Sequence, residues 1–124
     1  MVNPHWPKAA NIENGLVIRV CRGHTCGKRA DDLMAAAEQF IIDNDLAERM
    51  CVVEQICFGR CSLGPNVLVE RWRAGQRNER ALFAMMMGES HEDMRLEHGI
   101  RAADIPKMLA WHWDAYLESI DNDQ

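Results

Sequence analysis

Apolar positions along the chain recur at two spacings, and the spacing changes mark its elements. Leu16, Ile18 and Val20 alternate with Val17 and Arg19, a period of two that predicts a first strand. Asp31 and Asp32 offer an N-cap and an acidic first turn. Leu33, Ala36, Ala37, Phe40 and Ile41 follow at three-to-four spacing, predicting an amphipathic helix that ends near Asn44. A second strand is expected at about 50–56, through Val52-Val-Glu-Gln-Ile56. Ser62-Leu-Gly-Pro-Asn66 is a turn cluster, Val67-Leu-Val-Glu-Arg-Trp72 reads as a third strand, and Gly75 closes it.

The pattern between residues 76 and 101 is weaker. Asn78 to Met87 fits a short helix stopped by Gly88, and Ser90-His-Glu-Asp93 fits a capped restart with Gly99 as its stop. Met94-Arg-Leu-Glu97 fits a short edge strand equally well. The last element is a helix capped by Asp104, with Pro106 in its first turn and Ile105, Leu109, His112, Tyr116 and Ile120 on one face. The order β-α-β-β-(insert)-α predicts an α/β sandwich of thioredoxin type, a small mixed sheet flanked by helices. Residues 1–14 are expected to be an irregular arm, residues 15–124 one domain, and 76–99 an insertion before the C-terminal helix.

A length of 124 residues fits one modest core. The net charge of −5, with no basic stripe, argues against nucleic-acid binding. No apolar run approaches the roughly eighteen residues of a membrane span, so no membrane insertion is expected. The N-terminus has no basic segment followed by an apolar core, which excludes a secretory signal. The expected location is the reducing cytoplasm, where grouped cysteines hold metal more often than they form disulfides.

Five cysteines fit no closed disulfide framework. Four of them form two pairs, Cys21-Arg-Gly-His-Thr-Cys26 and Cys57-Phe-Gly-Arg-Cys61, each after a strand-like run. Four thiolates gathered by a fold are the usual ligand set of a [2Fe–2S] cluster. The gaps are wider than the short knuckles of structural zinc sites, and they differ from the plant-type ferredoxin spacing. Four unconnected buried thiols are the plain alternative.

Val20-Cys-Arg-Gly-His-Thr-Cys26 with Ala30-Asp-Asp-Leu-Met34, and Cys57-Phe-Gly-Arg-Cys61 with Gly64-Pro-Asn-Val67, resemble the two cluster motifs of thioredoxin-like [2Fe–2S] ferredoxins. They also resemble those of the peripheral thioredoxin-fold subunit of respiratory NADH dehydrogenase. The resemblance covers roughly residues 14–72 and the final helix. It implies that Cys21 and Cys26 hold one iron and Cys57 and Cys61 the other. It also implies one-electron transfer between redox proteins, by a homodimer or by a subunit of an oxidoreductase. The long helical N-terminal region of the NADH dehydrogenase subunit is missing, and the segment 73–99 is longer and richer in methionine than the family's hairpin.

The leading expectation is therefore a [2Fe–2S] ferredoxin that carries single electrons. The alternatives are an accessory iron–sulfur subunit of an NADH-, formate- or hydrogen-oxidising complex, a redox or iron sensor, and a zinc-stabilised binding module. No nucleophile–base pair, nucleotide loop or C-x-x-C motif argues for an enzyme. Cys51 alternates onto the face of Val53 and is expected to be a buried structural thiol, and His112 to pack on the last helix. Trp111 and Trp113 point to different helix faces, so one should be exposed. With Met85-Met-Met87, that points to a protein interface.

Overall fold

The computed structural model describes residues 12–21, 27–55, 66–89 and 91–122. Strand β1 (Gly15–Cys21) sets the frame: Leu16, Ile18 and Val20 are buried towards one face of the sheet, and Val17 is buried on the other. A strand covered on both faces needs apolar residues at consecutive positions, and β1 has them. Helix α1 (Gly27–Asp43) leads to β2 (Met50–Gln55), parallel to β1, and then comes β3 (Asn66–Arg73), antiparallel to β1. The two-residue strand β4 (Gln76–Arg77) and β5 (Met94–His98) share the outer edge of β3, so the sheet runs β2-β1-β3 and then β4 or β5. Helix α2 (Glu79–Met86) lies between β4 and β5, and a 3₁₀ turn (Ala102–Asp104) opens α3 (Ile105–Asn122). This is the expected thioredoxin-like α/β sandwich, a mixed sheet flanked by helices.

The main core lies between the sheet and α1 with α3. Leu33, Ala37 and Ile41 of α1 and Ile105, Leu109 and Tyr116 of α3 close on Leu16, Ile18, Val20, Val52, Val67 and Val69. Each large aliphatic buried there contributes about 1.5–3 kcal/mol, so this layer supplies most of the hydrophobic stabilisation. On the opposite face Ile12, Val17, Cys51 and Trp72 form one small cluster, and Leu68, Ala81 and Met94 form another beneath α2.

Gly15 is required by contact: a Cβ built there would stand 1.8 Å from the carbonyl oxygen of Arg49, which accepts the Leu16 N–H at 2.9 Å. Gly88 ends α2 as the sequence predicts. Its φ of 79° lets its N–H reach Met85 O at 3.0 Å while the Glu89 N–H reaches Ala84 O at 2.8 Å, the paired bonds of a Schellman motif.

Two local expectations need correction. α1 begins at Gly27, so Asp31 and Asp32 are exposed residues inside the helix rather than its cap. The segment before Met94 is no helix restart: His91 pairs with Met94 in a tight turn, and β5 follows. Alternation decides the matter, because Met94 and Leu96 pack beneath α2 while Arg95 and Glu97 engage side chains of α3.

Candidate functional site

The strands that precede the two cysteine motifs in the sequence are neighbours in the sheet. β1 ends at Cys21 and β2 at Gln55, and these two residues are paired in the parallel register. Cys26, Cys57 and Cys61 lie outside the described residues, and only the backbone of Cys21 is described. Among the described residues, no group of three or more His, Cys, Asp or Glu side chains is placed to hold a metal ion. The described cysteine side chain, Cys51, is a free thiol in mid-strand. The [2Fe–2S] cofactor is corrected on that ground, since a cluster needs several thiolates converging on one point. Ferredoxin membership, the one-electron carrier role and the metal-dependent alternatives are corrected with it.

Cys51 shares the second sheet face with a buried ion network. Burial pushes its thiol up to about 12; the nearby Arg19 guanidinium pulls it down in part and the Glu70 carboxylate pushes it up further. The thiol is protonated at neutral pH and is no nucleophile. β3 turns Glu70 onto this face, where it is fully buried. Its Oε2 accepts from Arg19 Nε at 2.5 Å and from Arg77 Nη2 at 2.6 Å, and its Oε1 accepts from Trp72 Nε1 at 2.9 Å. With two guanidiniums and an indole N–H committed to it, this carboxylate serves the fold rather than proton transfer.

The same face carries α2. Asn78 caps the helix, its Oδ1 accepting from the N–H groups of Arg80 and Ala81, and its Nδ2 donates to Asp93 Oδ2 at 2.8 Å just before β5. Ala81, Leu82 and Met85 face the sheet, against Leu68, Met94 and Leu96. The outward side is also apolar: Phe83 is 66% exposed, Met86 73% and Met87 63%. An eight-residue helix with apolar residues all round has one side too many for a lone domain.

A groove lies on the other side of the sheet, between β5 with the following Ile100 and the first half of α3. It encloses about 470 Å³. Ile100, Ala103, Met108 and Trp111 line it together with the charged Arg95, Lys107, Glu97 and Asp104. His112 is buried beneath and bonds through Nε2 to Glu97 Oε1 at 3.2 Å. Burial holds the His112 imidazole below its ordinary value, and the Glu97 bond opposes that shift. Trp111 is 55% exposed, whereas Trp113 stacks on Tyr116 with ring centroids 5.7 Å apart, so the expected division of the two tryptophans is observed.

Sequence reasoning missed the Glu70 network. The available signal was Arg19 inside an otherwise apolar strand and Glu70 directly after Val67-Leu-Val69. No helix among the described residues is long and apolar enough to cross a membrane. No family model matches the chain, and no curated protein matches it.

Proposed function

We propose that the chain is a non-catalytic docking domain that pairs with a second copy of itself through α2, in the reducing cytoplasm. The observation that carries this reading is the outward apolar stripe of Phe83, Met86 and Met87 on a helix whose inner side is already packed. Stripe residues at i, i+3 and i+4 are the anchors that helix-to-helix recognition uses. An antiparallel pairing centred between Ala84 and Met85 sets Phe83 against Met86 of the second copy. Ala84 at the centre lets the two backbones approach, and the arrangement is self-complementary as a two-fold contact requires. A helix of this length gives a contact below about 1,200 Å², the range of exchanging complexes rather than permanent ones.

A binding role also agrees with the polar chemistry of the described residues. Glu70 is committed to ion pairs, Cys51 is a protonated buried thiol, and His112 is buried on a carboxylate. Sedimentation velocity over a hundredfold concentration range tests the proposal. The wild type is expected to shift reversibly from monomer towards dimer, and Phe83→Glu to remain monomeric with an unchanged circular dichroism spectrum. A wild type that stays monomeric throughout, or a Phe83→Glu variant that dimerises equally well, refutes self-pairing through α2.

A further inference from the structure

We infer that the groove between β5 and α3 is a binding site for a small organic carboxylate with an apolar body. The argument begins with charge. Of the two carboxylates lining the groove, Glu97 accepts from His112 Nε2 at 3.2 Å, and Asp104 accepts the Arg101 N–H at 3.1 Å and pairs with the Arg101 guanidinium at 3.5 Å. Asp104 is thus paired with a cation, whereas Glu97, bonded to a neutral imidazole, keeps its charge, so Arg95 and Lys107 leave the groove with a surplus of one positive charge. His112, held below its ordinary value by burial, adds no positive charge at neutral pH. Arg95 and Lys107 are the lining cations, and both are exposed at the mouth.

Arg95 is positioned in advance. Its guanidinium lies over the Trp111 ring at 5.2 Å from the centroid, and the edge of the His112 ring meets Trp111 at 5.0 Å and 90°. A guanidinium resting on an indole loses less freedom when it takes up a carboxylate, so more of the interaction appears as affinity. Lys107 stands one helical turn before Trp111 on α3, which puts the second cation on the same margin. Beside them, Ile100, Ala103 and Met108 supply the apolar part of the lining. A volume of about 470 Å³ is within the usual range for a small-molecule pocket. The surplus positive charge beside apolar side chains favours a ligand with one anionic end and an apolar body.

The test uses the full chain with two probes of nearly equal shape, 3-phenylpropionate and the neutral 3-phenylpropanamide, followed by amide chemical shifts in two-dimensional NMR. The carboxylate is expected to saturate shifts at residues 95–112 with a Kd below about 1 mM, and the amide to bind at least about tenfold more weakly. Lys107→Ala and Arg95→Gln, both at exposed positions, should each weaken the carboxylate about tenfold while leaving the affinity of the amide unchanged. Phe83→Glu, on the opposite face of the sheet, should bind like the wild type, so loss of self-pairing and loss of this site are separable. Absence of saturable shifts up to about 10 mM, equal affinity for the two probes, or unaltered binding by Lys107→Ala overturns the inference.

Discussion

Replacing Glu70 by glutamine tests how the second sheet face is held. The carboxylate is fully buried, and its two arginine partners keep only 16% and 27% of their side chains exposed. Glutamine preserves the shape, and its carbonyl oxygen in the place of Oε2 can still face both guanidiniums, but without a negative charge. Its amide N–H donors then face the Trp72 indole N–H, and two uncompensated cations remain close together in a largely water-excluded layer. Removing one member of a buried charge cluster costs about 3–5 kcal/mol, chiefly because the remaining charges lose their compensation. A domain of this size has about 5–15 kcal/mol in total, so the variant should be visibly weakened. At about 4 °C per kcal/mol, the melting temperature should fall by about 12–20 °C. Urea unfolding followed by circular dichroism gives the free energy directly. The triple replacement Arg19→Met, Glu70→Leu, Arg77→Met should lose less than the single Glu70→Gln, because it removes the charges together. A Glu70→Gln cost below about 1 kcal/mol, the range of exposed pairs, would refute the reasoning.

His112 should make stability depend on pH. Its folded value is lowered by burial, so below the ordinary 6.5 the unfolded chain binds the proton first; this contribution is complete above 6.5 and is lost as pH falls from there towards the folded value. His112→Gln should flatten the stability curve as pH falls below about 6.5, measured by urea unfolding at a series of pH values. Cys51 should resist iodoacetamide in the native protein and react only on unfolding, as read by peptide mass mapping, since its thiol is buried and pushed up to about 12. Cys51→Ser should cost about 1–2 kcal/mol by urea unfolding, for a hydroxyl placed among Val17, Ile12 and Trp72. Gly15→Ala should cost about 3 kcal/mol or more, because the new Cβ meets the Arg49 carbonyl oxygen rather than a side chain that can turn away; a soluble variant with unchanged stability would contradict the β1–β2 geometry.

What the sequence made legible follows from how far each signal reaches along the chain. β1, β3 and α3 announce themselves because their buried residues repeat locally, at two for Leu16, Ile18 and Val20 and at three to four for Ile105, Leu109, His112 and Tyr116. β5 is ambiguous because Met94-Arg-Leu-Glu97 alternates yet is too short to exclude a helical turn, and pairing with residues 66–70 of β3 decides it. The start of α1 was misplaced because Gly27, Lys28 and Arg29 carry no apolar period, whereas Asp31 and Asp32 look like a cap. Arg19 and Glu70 are 51 residues apart, so their contact is invisible before β1 and β3 are laid side by side. The exposed stripe of α2 was half legible: the methionines were evident, but which of them faced solvent depended on β5 and Leu68 occupying the inner side. The iron–sulfur reading rested on local motif likeness, and the described residues supply no metal-holding group to support it.

The central claim is that α2 meets its own copy in antiparallel register, and an introduced charge pair reads this directly. By sedimentation equilibrium, Phe83→Glu alone and Met86→Lys alone should each weaken the dimer, and the double variant should associate more strongly than either, because the register sets position 83 against position 86 of the second copy. A double variant that associates no more strongly than the single variants, or single variants that associate as strongly as the wild type, would contradict the pairing.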